Sequence, residues 1–170
     1  FSASISRVIG SMQEFLGLNE SVQKLLDRDL TPQQIESFTW YASELMEWNK
    51  RFNLTAITDR AGIEVRHFLD SLSCFLAIRS SSGEKLVDLG TGAGFPGLPI
   101  KILSPRIQLT LVEATQKKAN FCSHIAAGLD LDGVEVLHAR AEEIGQDLNY
   151  RQSFDIAVAR AVAPLPILIE

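Results

Sequence analysis

Leu86-Val-Asp-Leu-Gly-Thr-Gly-Ala-Gly-Phe-Pro-Gly-Leu-Pro99 is the stretch that decides the fold. It opens as a buried strand of Leu86, Val87 and Leu89, interrupted by one acid, Asp88. It turns through Gly90, Gly92 and Gly94, and Pro96, Gly97 and Pro99 then lead into a short apolar helix that Pro105 stops. Strand, glycine turn, helix is the opening unit of a nucleotide-binding α/β fold. A glycine turn lets a ligand approach the backbone because no Cβ stands in the way. Proline suits the first helical turn, where its missing N–H is not needed.

Three ligand classes compete for this loop. A dinucleotide fingerprint needs glycine where Phe95 stands. A phosphate-binding P-loop has its glycine spacing in Gly92 and Gly97, but Leu98 and Pro99 replace the lysine and the hydroxyl. Without a lysine, the loop has nothing to meet a triphosphate. The third pattern, an acid followed by G-x-G-x-G, resembles that of the class I methyltransferases, whose ligand S-adenosylmethionine carries no phosphate. Leu109-Thr-Leu-Val-Glu113 agrees with this, being an apolar strand that ends in one acid. A carboxylate there, about 20 residues past the loop, accepts hydrogen bonds from ribose hydroxyls. The competing role for Glu113 is to cap a helix starting near Thr115.

At 170 residues, the chain suits one main domain with a small appendage. Hydrophobic residues make up 46%, enough for an ordinary core. No apolar run approaches the ~20 residues needed to span a bilayer. Phe1 to Gly17 mixes polar and apolar residues too closely for a signal peptide, and a cytoplasmic location is expected. Because the first residue is Phe, further residues are expected before it. Cys74 and Cys122, far apart, fit core thiols in amphipathic helices better than a disulfide or metal site, so no metal is expected. The net charge of −5 argues against a broad nucleic-acid surface, so any RNA contact must be local.

Helical spacing of apolar residues runs through Ile5, Val8, Ile9, Met12, Phe15 and Leu16, then Val22, Leu25 and Leu26. Thr31-Pro-Gln-Gln34 reads as a capping box that starts a second helix. Its core face carries Ile35, Phe38, Ala42, Leu45 and Phe52. Residues 48–58 end that helix in a segment dense in hydrogen-bonding side chains, either a functional loop or one held by Asn side chains. Thr58 or Asp59 then caps a short helix, and a longer apolar helix runs on to Ile78. His67 and Asp70, three apart, share one face there and could pair.

Ser80 to Gly83 is a flexible joint that divides an N-terminal helical region, 1–82, from a core of alternating strands and helices, 83–170. The alternation predicts strands at 86–90, 108–113, 134–138 and 154–159. Helices are predicted at 97–103, 116–128 and 141–147, with another beginning near Pro164. Such alternation implies a parallel sheet with helices on both faces. A methyltransferase sheet usually has seven strands, so the last strands are expected beyond Glu170.

Four segments together carry a more specific resemblance: Trp48-Asn-Lys-Arg-Phe-Asn-Leu-Thr55, His67-Phe-Leu-Asp-Ser71, Asp88-Leu-Gly-Thr-Gly-Ala-Gly-Phe-Pro-Gly97 and Phe154-Asp-Ile-Ala-Val-Ala-Arg-Ala161. In this order they resemble the bacterial small-subunit ribosomal RNA guanine methyltransferases, also called the glucose-inhibited division protein B family. The resemblance spans roughly residues 12–170. It implies methyl transfer from S-adenosylmethionine to nitrogen-7 of guanine 527 in 16S ribosomal RNA, with S-adenosylhomocysteine as product. The substrate is then the RNA or the small ribosomal subunit, with no membrane partner and a monomeric enzyme.

The resemblance places cofactor contacts on Gly90, Phe95, Ala141, Glu142 and Arg160, with Glu113 in the acid position of strand two. Thr91, Gly92 and Gly94 complete the loop. No residue stands out as the chemical catalyst, and Asn53, His67, Asp70 and Arg160 are candidates for positions near the reaction. The competing role for Glu142 is favourable charge at a helix N-terminus, and for Arg160 a surface ion pair.

The end of strand four, Ala159-Arg160-Ala-Val-Ala-Pro164, lacks the Asn/Asp-Pro-Pro-aromatic motif of amine-methylating enzymes. It also lacks the cysteine that carbon-5 methylation of cytosine requires. Both absences fit guanine nitrogen-7, which offers an in-plane lone pair and needs no deprotonation. Positioning is then the main requirement, with nearby carboxylates such as Asp70 or Glu113 favouring the charge that moves to the base. Lys50, Arg51, Arg66, Lys117, Lys118, Arg140 and Arg160 lie at element ends that could meet RNA. Two other readings share the fold: a small-molecule methyltransferase, and a non-catalytic S-adenosylmethionine-binding module.

Overall fold

The computed structural model describes residues 16–78 and 83–160. The apolar stripe before Leu16, most of the joint at 79–82 and the helix expected near Pro164 lie outside them. Four parallel strands form the sheet, β1 (Lys85–Leu89), β2 (Gln108–Glu113), β3 (Val134–His138) and β4 (Ile156–Ala159), in the order β3-β2-β1-β4. The helices are α1 (Leu16–Leu26), α2 (Pro32–Phe52), α3 (Arg60–Ile63), α4 (Asp70–Leu72), α5 (Gly97–Leu103), α6 (Gln116–Gly128) and α7 (Ala141–Gln146). From β1 onward the expected elements match to within two residues. The order reverses at β1, with β2 on one side and β4 on the other, and such a reversal opens a crevice at the carboxyl ends of the strands.

Alternation along the strands splits the core in two. Leu86, Leu109 and Leu111 face a large core built from α1, α2, α5 and α6, including Phe38, Tyr41, Leu98 and Phe121. Val87 and Val112 face a smaller one closed by Ile144 of α7 and by Tyr150 and Phe154. The N-terminal helices and the sheet therefore share one apolar interior. Polar groups tie them further: Arg28 and Gln34 donate to the carbonyl of Leu103 at 3.0 and 3.4 Å, and Gln34 to that of Ile102 at 3.0 Å. These carbonyls end α5, where the helix has no internal donors left. Close packing recurs where Gly128 of α6 meets Trp40 of α2, leaving no room for a Cβ.

The capping box at Thr31 forms as expected, with Thr31 Oγ1 accepting from the Gln34 amide at 3.2 Å and Gln34 returning a carbonyl to the Thr31 amide at 3.0 Å. Two expectations need correction. Phe52 is not on the core face: it is exposed, because the last turn of α2 runs past the core, and its ring meets that of Trp48 at 5.5 Å, tilted by 46°. The helix to Ile78 is not one α-helix. After α3, which Asp59 caps through the Gly62 amide, the chain widens into a π-helical stretch, Glu64–Leu69. It tightens again through α4 and a 3-10 turn, Ser73–Leu76. Both cysteines are unpaired; Cys122 is wholly buried and Cys74 partly so.

Candidate active site at the carboxyl edge of the sheet

Asp88 organises the glycine loop from inside the large core. Its Oδ2 accepts from the Thr91 hydroxyl at 2.6 Å and from the Gly97 amide, the start of α5, at 2.8 Å. One carboxylate oxygen thus holds both ends of the turn. The other, Oδ1, is buried with no partner among the described residues. Burial pushes this acid up to about 6, against the pull of the two hydrogen bonds and Arg160.

The loop's backbone is left-handed at Gly90, Gly92 and Gly94. Two of these glycines differ in what surrounds them. A Cβ at Gly94 would overlap Leu98 and come within 2.5 Å of the Tyr41 hydroxyl, whereas a Cβ at Gly92 would meet nothing within 4 Å. Gly94 is needed for packing, while Gly92 borders open space. Tyr41 also donates to the Ala93 carbonyl at 2.5 Å, so α2 grips the turn from outside. Cys122 reaches the Gly92 carbonyl at 3.4 Å, its thiol pushed up by burial.

Glu113, at the carboxyl end of β2, is buried, and both of its oxygens meet backbone donors. Oε2 accepts from Gly92 and Oε1 from Thr115, each at 2.8 Å. Of the capping role weighed for this residue only a part is seen: Glu113 holds the amide of Thr115, the residue before α6, and no first-turn amide, and it also ties β2 to the loop. A carboxylate offers about four lone-pair sites, so two backbone bonds leave capacity for a ligand.

Phe95 closes the loop as the centre of a stack. Its ring lies 5.3 Å from Tyr41 on one side and 4.3 Å from His67 on another, each tilted by only 7°, and the Arg160 guanidinium sits 5.2 Å from its centroid. Arg160, just past β4, gathers the N-terminal segment around itself. It donates to Asp70 Oδ2 and to the Arg66 carbonyl at 3.0 Å each, and to His67 Nδ1 at 3.1 Å. His67 and Asp70 are thus joined through Arg160 rather than to each other. His67 Nε2 lies 2.9 Å from Thr55 Oγ1, and Asn49 holds Thr55 by two backbone bonds of 2.9 Å. Burial, and then Arg160, push the imidazole down to about 4, so the ring is neutral near pH 7.

Other expected positions lie around this edge. Asn53 is exposed and ends α2 with a left-handed backbone. Ala141 is half-buried at the start of α7 and Glu142 is exposed beside it; Glu143, not Glu142, returns a carboxylate to the Arg140 amide, at 3.0 Å. Lys117 and Lys118 open α6; Lys50 pairs with Glu47 on an exposed face at 2.7 Å, which contributes little. Tyr41 does not stand out in the sequence, whereas Asn49 and Thr55 belong to the segment 48–58, whose reading as a loop held by Asn side chains fits the two bonds from Asn49. Tyr41 continues the α2 core face three residues after Phe38, a spacing that could have pointed to it.

An open, uncharged glycine turn beside a buried carboxylate suits a nucleoside without phosphate. The space at Gly92 is what a bound ligand would need, and the residues present fit S-adenosylmethionine.

Comparison with known proteins gives a family and a fold. The family described as rRNA small subunit methyltransferase G matches residues 34–170. Among curated proteins bearing that name, one from Caldanaerobacter subterraneus is 52% identical over 136 residues, covering 80% of this chain and 57% of the relative. One from Roseiflexus castenholzii is 50% identical over 159 residues, covering 94% and 66%. The chain thus spans about three-fifths of the length of the curated relatives it matches. In fold, it resembles two crystal structures of MtNAS. One is a variant with a TM-score of 0.52 and 21% identity, covering 86% of this chain and 57% of the other. The second is in complex with S-adenosylmethionine, with a TM-score of 0.51 and 22% identity, covering 76% and 47%.

Proposed function

Because the chain belongs to the small-subunit ribosomal RNA methyltransferase G family, we propose that it transfers a methyl group to nitrogen-7 of a guanine in 16S ribosomal RNA. The observation that carries this reading is the meeting, at one sheet edge, of the phosphate-free glycine turn with Glu113 and Arg160. When bound, S-adenosylmethionine supplies a sulfonium methyl that is already activated, so this chain's residues need only bind, orient and exclude.

Gly90, Thr91, Gly92, Gly94 and Phe95 form the binding turn, and Glu113 takes ribose hydroxyls alongside its two amides. Ala141 and Glu142 open α7 just after β3, where an adenine edge would lie. Arg160 orients the target. An arginine carries five N–H donors, and three are engaged with Asp70, His67 and the Arg66 carbonyl. Two remain to hold a guanine or its phosphate. His67, neutral and stacked on Phe95, does not compete for charge. Asp70, paired with Arg160 at 3.0 Å, offsets the charge of that cation beside a base that becomes positive. No side chain acts as a general base, because the attacking nitrogen carries no proton. Asn53 stays a candidate for contact with the RNA.

The substrate in this reading is the RNA or the small subunit, the enzyme acts as a monomer, and it works in the cytoplasm. No helix among the described residues is long and apolar enough to cross a membrane, and no metal-binding cluster occurs among them. Labelled methyl transfer to ribosomal RNA from cells lacking the modification, followed by mapping of the base, tests the proposal. Incorporation at a guanine nitrogen-7 is expected. No incorporation by the full-length protein would overturn it, and incorporation into a small molecule instead would favour a different substrate class.

A further inference from the structure

Arg160 takes an acceptor that an ordinary helix would not offer. In an α-helix each carbonyl receives the amide four residues later. The amide four residues after Arg66 is that of Asp70, and it goes elsewhere, donating to the carbonyls of Val65 and His67. It passes over the Arg66 carbonyl because the chain widens there into the π-helical stretch Glu64–Leu69, a rare geometry in proteins. The carbonyls on both sides are thus taken, and that of His67 also receives the buried Ser71 hydroxyl. The Arg66 carbonyl instead receives Nη1 of Arg160 at 3.0 Å, from 94 positions along the chain. The same Nη1 donates to Asp70 Oδ2 at 3.0 Å, and Nη2 to His67 Nδ1 at 3.1 Å. All three acceptors come from the widened stretch or from the residue that follows it.

We propose that the π-helical stretch is the seat of Arg160: by carrying the Asp70 amide past the Arg66 carbonyl, it makes that carbonyl a positioning group for the guanidinium beside Phe95. This deepens the methyltransferase reading and rests on it only for the effect on turnover. The carbonyl supplies what Asp70 cannot. It is fixed in the main chain, whereas the Asp70 side chain is 54% exposed and is by itself a weak restraint. Closing the stretch to a regular helix would return the carbonyl to the Asp70 amide and leave Arg160 held by side chains alone. The hydrogen bonds that shape the glycine turn involve none of these groups, so cofactor affinity should change little.

Deleting Val65, an exposed residue inside the stretch, removes the extra residue of the wide turn. Carbon–nitrogen NMR of the Arg160 guanidinium reads how fast it rotates, and kinetics on 16S ribosomal RNA separate kcat from KM. Wild-type Arg160 should rotate far more slowly than an arginine in solvent, and the deletion should release it. The deletion should also lower kcat about tenfold, the scale of a small misplacement, with KM for S-adenosylmethionine within about twofold. In an Arg160→Ala background the same deletion should change kcat by no more than about twofold, because the group it acts through is gone.

A wild-type guanidinium that rotates as freely as one in solvent overturns the proposal. So does an equal loss of kcat in both backgrounds, which is the mark of general damage. If the deletion does not fold, the double variant Asp70→Ala, His67→Phe leaves the Arg66 carbonyl as the remaining acceptor: slow rotation there supports the seat, and free rotation overturns it. If rotation follows the widening but no variant, wild type included, methylates RNA, the seat stands and the methyltransferase reading falls.

Discussion

The glycine turn and the Arg160 cluster meet at Phe95 but are assembled in opposite ways. The turn is local. Asp88 reaches three residues to Thr91 and nine to Gly97, and the left-handed glycines lie within the same few positions. The cluster is remote, since Arg160 binds residues 90 to 94 positions earlier in the chain. The local device is shaped by its own backbone and a buried acid, with Tyr41 of α2 and Glu113 of β2 bracing it. A remote one depends on the whole N-terminal region docking onto the sheet. Damage to the first should cost stability, and damage to the second should cost geometry.

Gly94 offers the harshest way to break this contrast. Gly94→Ala adds a strained backbone to an overlap with Leu98 and Tyr41, and should cost about 3 kcal/mol or more. Gly92→Ala, facing open space, should cost only about 1 kcal/mol for its left-handed backbone. Urea midpoints compare the two, and equal losses would show that the turn is not packed as described.

Proton linkage sharpens the comparison, because each region holds one displaced group of opposite sign. His67 is pushed down from 6.5 to about 4. The stability it contributes is full above 6.5 and is lost as pH falls through about 4. Asp88 is pushed up from 3.8 to about 6. Its contribution is full below 3.8 and is lost as pH rises through about 6. The two displacements act in opposite directions between pH 4 and 6, so each offsets the other there. His67→Gln should unmask Asp88, with stability falling as pH rises from 4 to 6. Asp88→Asn should unmask His67, with stability rising over the same range. Parallel profiles for the two variants would contradict the assignment.

Glu113→Gln tests the tie between β2 and the turn. An amide can accept from one backbone donor where the carboxylate accepts from both Gly92 and Thr115. One buried N–H is left unmet, at about 1–3 kcal/mol. Arg160→Lys should move stability least, by under about 1 kcal/mol, since its carboxylate pair is partly exposed. It should still lower turnover sharply, because an ammonium cannot match the fork that spans Asp70, His67 and the Arg66 carbonyl.

This difference in reach also explains what could be read in the sequence. The turn, the four strands and their helices were legible because glycine, proline and apolar spacing act over a few residues. The capping box at Thr31 was legible for the same reason. His67 and Asp70 were visible as a pair, but their link through Arg160 was not, because nothing within five residues of either encodes a partner 90 positions away. The π-helical widening at Glu64–Leu69 also escaped, since its apolar spacing passes for an ordinary helix. Glu113 was read as either ligand contact or helix cap. In the fold its two oxygens hold the amide of Thr115, just before α6, and that of Gly92 in the turn.

Calorimetric titration of S-adenosylhomocysteine into wild-type protein and Gly92→Asp is the most direct test of the central claim, that the cofactor lies across Gly90–Phe95 against Glu113. Asp tolerates a left-handed backbone, and its Cβ meets nothing within 4 Å, so the variant should fold. The wild type should bind and the folded variant should not. A folded Gly92→Asp protein that binds as tightly as wild type would contradict the account.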